Sequence, residues 1–134
     1  MRKFVAVFML AAVISSISYV YSAPAIACTL QKIAAAIIPD HNANVVAFGV
    51  KLGCKANGNV KCSGVMYVMI SDPQGNPVFY DSVVLSTSCG NTIHKIINVI
   101  ADDAWWTGGY TASFMVYDEA TWLEVVSTGP VPLN

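Results

Sequence analysis

The most restrictive feature of this chain is the stretch from Trp105 to Asp118, where Gly108-Gly109 opens into a run with two chemically different faces. Tyr110, Ala112, Phe114 and Val116 fall on one side, and Thr111, Ser113, Met115 and Tyr117 on the other. A period of two belongs to a β-strand, because successive side chains of an extended backbone point to opposite faces; a helix would repeat every 3.6 residues.

The same grammar recurs along the chain. Val45 to Cys54 alternates, with Val46, Phe48, Val50 and Leu52 opposite Ala47, Gly49 and Lys51. Val65 to Ile70 is apolar on both faces, as expected of a central strand covered on both sides. Val78–Leu85, Thr92–Ile100 and Ala120–Val126 supply three more strands. Thr29–Ile38 reads as a first, edge-type strand: its alanines favour helix, but its β-branched ends and Pro39 favour extension. Between these runs lie a loop at Pro39–Asn44, an Asn57-Gly58 turn and the strong turn Asp72-Pro73-Gln74-Gly75-Asn76-Pro77. Gly129-Pro130-Val131-Pro132 ends the fold, since neither proline can donate to a ladder. Seven short strands with turn signals about every 8–12 residues predict an all-β, antiparallel sandwich.

The Gly-x-Tyr entry at Gly108-Gly109-Tyr110 and the Asp-Pro-x-Gly-Asn turn at Asp72–Asn76 resemble those of immunoglobulin-like and fibronectin-like extracellular modules. The resemblance spans Val45 to Val126 and concerns strand and turn chemistry, so it implies a seven-stranded immunoglobulin-like sandwich and no activity. It implies that the Tyr110 hydroxyl ties its strand to the preceding corner. Antibody-type domains carry a cysteine where Ala112 stands and a tryptophan on the third strand, so the fibronectin kind is the closer comparison.

The N-terminus points to export. Met1-Arg2-Lys3 is a basic start and Phe4–Ile14 an apolar run, interrupted by Ser15, Ser16 and Ser18; Ala23-Pro24-Ala25 has the small-x-small pattern of a signal-peptidase site. Residues 1–25 are therefore expected to be a signal segment and 26–134 a single domain. Two alternatives remain open: an uncleaved anchor, or lipidation at Cys28 through the lipobox-like Ala25-Ile26-Ala27-Cys28, the one route to a membrane partner. Cleavage after Ala25 leaves five lysines (32, 51, 55, 61, 95), eight acids and no arginine. Without a guanidinium fork or basic stripe, no nucleic-acid partner is expected.

In a Greek-key sandwich, alternate strands run up and down, which gathers Cys28, Cys54, Cys62 and Cys89 at one pole. An exported chain implies two disulfides. The arrangement favours Cys54–Cys62 and Cys28–Cys89, although four cysteines permit three pairings and sequence leaves all three open. A metal centre built from these cysteines and His94 lacks the tight Cys-x2-4-Cys spacing of zinc sites. No metal or cofactor is expected.

No catalytic residues are expected either. His41 and His94 are far apart in sequence, and the acid pairs Asp102-Asp103 and Asp118-Glu119 read as solvated turn residues. Trp105, Trp106 and Trp122 could stack on a sugar, with core packing as the alternative. Surplus apolar surface at Leu30, Ile33, Ile37 and Ile38, set off by the 39–44 loop, suggests that residues 26–38 act as a detachable donor strand for a neighbour's open edge. The expectation is a secreted or cell-surface, non-enzymatic structural or adhesive protein, with a self-assembling filament subunit, partnered by itself, as its sharpest form. The alternative is a soluble extracellular module binding a carbohydrate or protein.

Overall fold

A computed structural model describes residues 28–55 and 61–134. The proposed leader, its cleavage site and the Asn57-Gly58 turn lie outside the described residues; Cys28, the lipidation candidate, lies within them, with its sulfur bonded to Cys89. The chain forms seven antiparallel strands: β1 (Thr29–Asp40), β2 (Val45–Lys55), β3 (Lys61–Ser71), β4 (Pro77–Ser88), β5 (Thr92–Ile100), β6 (Thr111–Asp118) and β7 (Glu124–Pro132). A 3-10 turn, Asp103–Trp106, precedes β6. One sheet has the order β1-β2-β5 and the other β4-β3-β6-β7. The all-β sandwich expected from periodicity is thus observed.

The alternating faces find their cover across the two layers. Val46, Phe48 and Leu52 of β2 are fully buried, as are Met66, Val68 and Ile70 of β3 and Ala112 and Val116 of β6. Phe48 meets Phe114 edge-on at 6.2 Å, joining the central strands of opposite sheets. At about 25 cal/mol per Å² of apolar surface, such side chains are the main source of stability.

Two edge strands and the covering of the central strand β3 differ from expectation. β1 runs through Pro39, which pairs with Val46, and the connection to β2 is only the turn 41–44. β7 begins at Glu124 rather than Ala120 and contains Pro130 and Pro132. Both are edge strands with one unpaired side, where proline's missing N–H removes no ladder bond. β3, expected to be covered twice, is covered once: Val65, Tyr67 and Met69 face outward and are only half-buried.

Alternation of strand direction creates two poles. At one lie the start of β1, the ends of β2 and β4, and the β6–β7 turn; at the other lie the β1–β2 turn, the Asp72–Asn76 turn and the 3-10 turn.

Candidate functional site

The cysteines meet at the first pole as expected. Cys28 pairs with Cys89 and Cys54 with Cys62, with Cα separations of 6.0 and 5.8 Å, inside the range a disulfide can span. The sulfurs of Cys28, Cys54 and Cys89 lie within 4.8 Å of one another, so the two cystines form one cluster. Two disulfides accord with an oxidising compartment.

The same pole holds the residue that sequence reasoning misplaced. Asp118, expected to be a solvated turn residue, is 2% exposed. Its Oδ2 accepts from the Leu30 N–H at 2.8 Å and its Oδ1 from the Ala120 N–H at 2.8 Å. A buried carboxylate needs such donors, and these two join β1 to the β6–β7 turn across the sandwich. Leu30 itself reaches the other sheet: a Cβ on Gly64 would sit 2.6 Å from Leu30 Cδ1 and 2.7 Å from the Tyr117 carbonyl oxygen, so position 64 has room for glycine alone.

The three tryptophans do not share a surface. Trp105 and Trp106 are buried in the core at the opposite pole, while Trp122 is 62% exposed in the β6–β7 turn. Trp106 anchors a polar network: its Nε1–H donates to Asn44 Oδ1 at 2.7 Å, and His41 stacks on its ring at 4.7 Å. Asn44, with φ of 56°, also donates from Nδ2 to the Ala101 carbonyl. Tyr110 is tied by its carbonyl, which accepts from the Leu133 N–H at 3.0 Å; its hydroxyl has no hydrogen bond among the described residues.

Of the four self-association candidates, Leu30 is buried and Ile37 packs on the core; Ile33 and Ile38 are 51% and 60% exposed. β1 pairs with β2 from Thr29 to Asp40 within its own chain and is fixed at its start by the Cys28–Cys89 bridge. Every sheet edge is interrupted. β1 has a bulge at Ile33 and Pro39; β7 has its prolines and two register shifts. On β4 and β5, Asp81 and Lys95 sit opposite the core residues Val68 and Val50, charges on the core side of an edge. Proline, bulges and inward charges all discourage further strand pairing.

What stays open is the outer face of each sheet. On β4-β3-β6-β7, Tyr67 stacks with Tyr80 at 6.0 Å and meets Tyr117 edge-on at 5.9 Å; the Tyr117 hydroxyl donates to Met115 Sδ at 3.6 Å. Register adds Met69, Val65 and the 67%-exposed Val84 to the same face, with Ser82, Ser113 and Ser127 between them. The outward positions from Ser63 to Ser71 of β3 and from Thr111 to Tyr117 of β6 include no charge; Lys61 at the start of β3 and Glu124 opposite Tyr117 mark its end at the cystine pole. Sequence reasoning missed this face because a strand apolar on both sides looks like a doubly covered one. The signal available was the phase shared by Tyr67, Met115 and Tyr117. His41 and His94 are at different poles, and the Asp102-Asp103 and Asp118-Glu119 pairs likewise.

No protein-family model matches this chain, and no curated protein matches it.

Proposed function

We propose that this protein is a non-enzymatic structural or adhesive module of the cell exterior that works by surface association, with copies of itself among its partners. The observation that carries the reading is the tyrosine–methionine patch around Tyr67, Tyr80, Met115 and Tyr117 on the outer face of the four-stranded sheet. Tyrosine brings large, rigid, amphipathic contact area at low entropic cost, and serine adds adaptable hydrogen bonds; recognition surfaces are enriched in both. The cystine cluster and the basic, apolar N-terminus support export. The immunoglobulin-like or fibronectin-like resemblance enters here as architecture only.

Association through faces is a better physical route than exchange of residues 26–38. A donated β1 would leave its whole ladder with β2, the Asp118 hydrogen bond and the Cys28 bridge. The same tyrosine face favours one second reading, a soluble module binding a carbohydrate or another protein. The test combines sizing with cell-surface and glycan binding, comparing the protein with Tyr67→Ser/Tyr80→Ser. Loss of self-association alone supports the assembling module, loss of glycan or foreign-protein binding alone supports the binding module, and retention of every interaction by a folded variant overturns the role of this face.

A further inference from the structure

The outer face of the three-stranded sheet carries a different pattern. Its middle is a hollow of about 280 Å³ floored by small residues, Ala36 and Gly49, and walled by Ile38 of β1 and Ile96 of β5. Strand register arranges the face in rows: Ile38, Ala47 and Asn98 form one, and Ala36, Gly49 and Ile96 the next. Charges mark the ends. Asp40 lies in the row of Val45 and Ile100, and Lys51 in the row of Ala34 and His94. Beyond the face, the lysines 32, 51, 55, 61 and 95 lie in the half nearer the cystines, together with Asp118, Glu119 and Glu124, while Asp40, Asp72, Asp102 and Asp103 lie towards the tryptophan pole.

From this pattern we infer that the β1-β2-β5 face is a homophilic contact, covered by a second copy packed face to face with its strands reversed. The two-fold axis lies between the sheets, perpendicular to the strands, at the level of Phe48. Turning the face about that axis exchanges the row of Asp40 with the row of Lys51, and the row of Ile38 with the row of Gly49. Ile38 then meets the hollow at the partner's Ala36, Ala47 meets the partner's Gly49, and Asp40 comes beside the partner's Lys51. An axis along the strands would instead set Lys51 over the partner's Lys51, so charge selects the reversed arrangement. Such a contact is isologous and self-complementary.

Its strength follows from its size. Three strands spaced about 4.8 Å, rising about 3.3 Å per residue, give a face on the order of 400 Å² per copy. A standard interface buries about 800 Å² per partner. The contact is therefore weak and reversible, and acts where copies are crowded. It rests on the reading that the protein works by association, and adds a second contact, between copies, on the sheet opposite the tyrosine–methionine face.

Sedimentation of the purified protein from about 10 µM to 1 mM tests it. The wild type is expected to dimerise within that range. Lys51→Asp and Asp40→Lys should each weaken dimerisation by about tenfold or more, because each sets like charges together twice. An equimolar mixture of the two variants restores both opposite-charge contacts and should associate to within about threefold of wild type. Asp40 Oδ1 also accepts from the Ala43 N–H, so near-UV circular dichroism accompanies each variant. Gly49→Gln provides a charge-free check: a Cβ there finds Ile96 Cγ1 at an ordinary 3.8 Å, so the chain folds, but the hollow is filled. A wild type monomeric throughout, or a mixture no stronger than its components, overturns the inference. Wild-type association unaffected by all three changes overturns this face while leaving the association reading intact.

Discussion

The two poles of the sandwich are closed by different chemistry. One is closed by covalent bonds and a buried carboxylate: Cys28–Cys89, Cys54–Cys62 and Asp118. The other is closed by an indole, an amide and an imidazole: Trp106, Asn44 and His41. Both must hold the same two sheets together where strand pairing ends. The first pole depends on an oxidant outside the chain, whereas the second depends only on groups the chain carries. The order of their closing is therefore separable: the tryptophan pole can form in a reducing medium, and the cystine pole cannot be completed there.

Breaking the covalent pole should have the largest effect. The Cys28–Cys89 bridge spans a sequence separation of 61 and the Cys54–Cys62 bridge one of 8. By loop-closure entropy, Cys28→Ser/Cys89→Ser should lose about 4 kcal/mol and Cys54→Ser/Cys62→Ser about 2–3 kcal/mol in urea unfolding. The reverse order would show that the short bridge does more than restrict the unfolded chain. Next comes Asp118→Ala, which leaves two backbone N–H groups without an acceptor and should cost about 2–4 kcal/mol. Amide exchange at Leu30 and Ala120 should accelerate before the rest of the sheet responds.

At the opposite pole, Asn44→Ala removes the acceptor of Trp106 Nε1–H and forces alanine to a φ of 56°. The expected loss is about 2 kcal/mol, and Asn44→Gly, which removes only the backbone strain, should recover part of it. A shift in tryptophan fluorescence reports the change directly, and this variant should be no more sensitive to reductant than wild type. Trp122→Ser is expected to be smallest, within about 0.5 kcal/mol, because the ring is exposed although it stands at the cystine pole. A larger loss would mean that this turn helps close the covalent end.

Much of this was legible in the residues because it is periodic. The faces of β2 and β6 follow from alternation, the limits of β5 from its β-branched composition, and the meeting of four cysteines from counting strand reversals. The edges were not legible. Proline reads as a stop, but Pro39 and Pro130 lie in strands that expose one side to solvent, and nothing local tells an edge from a centre. Asp118 was misjudged for a related reason: its partner Leu30 is 88 residues away in sequence. Tyr67 and Met115, two ordinary strand residues, form an outer face only once register places them side by side.

Because Cys28 is bonded to Cys89, the chain has a short circuit for tension. A pull between Cys28 and Asn134 would pass from Cys28 through sulfur to Cys89 in the β4–β5 turn, bypassing every residue between them. Only the 45 residues beyond Cys89 (134 − 89) could then lengthen, giving about 150–160 Å of slack at about 3.5 Å each. Reduction of that single bridge would release the remainder. The extensibility of the folded chain is thus set by one covalent bond, from the residue before β1 to the turn before β5.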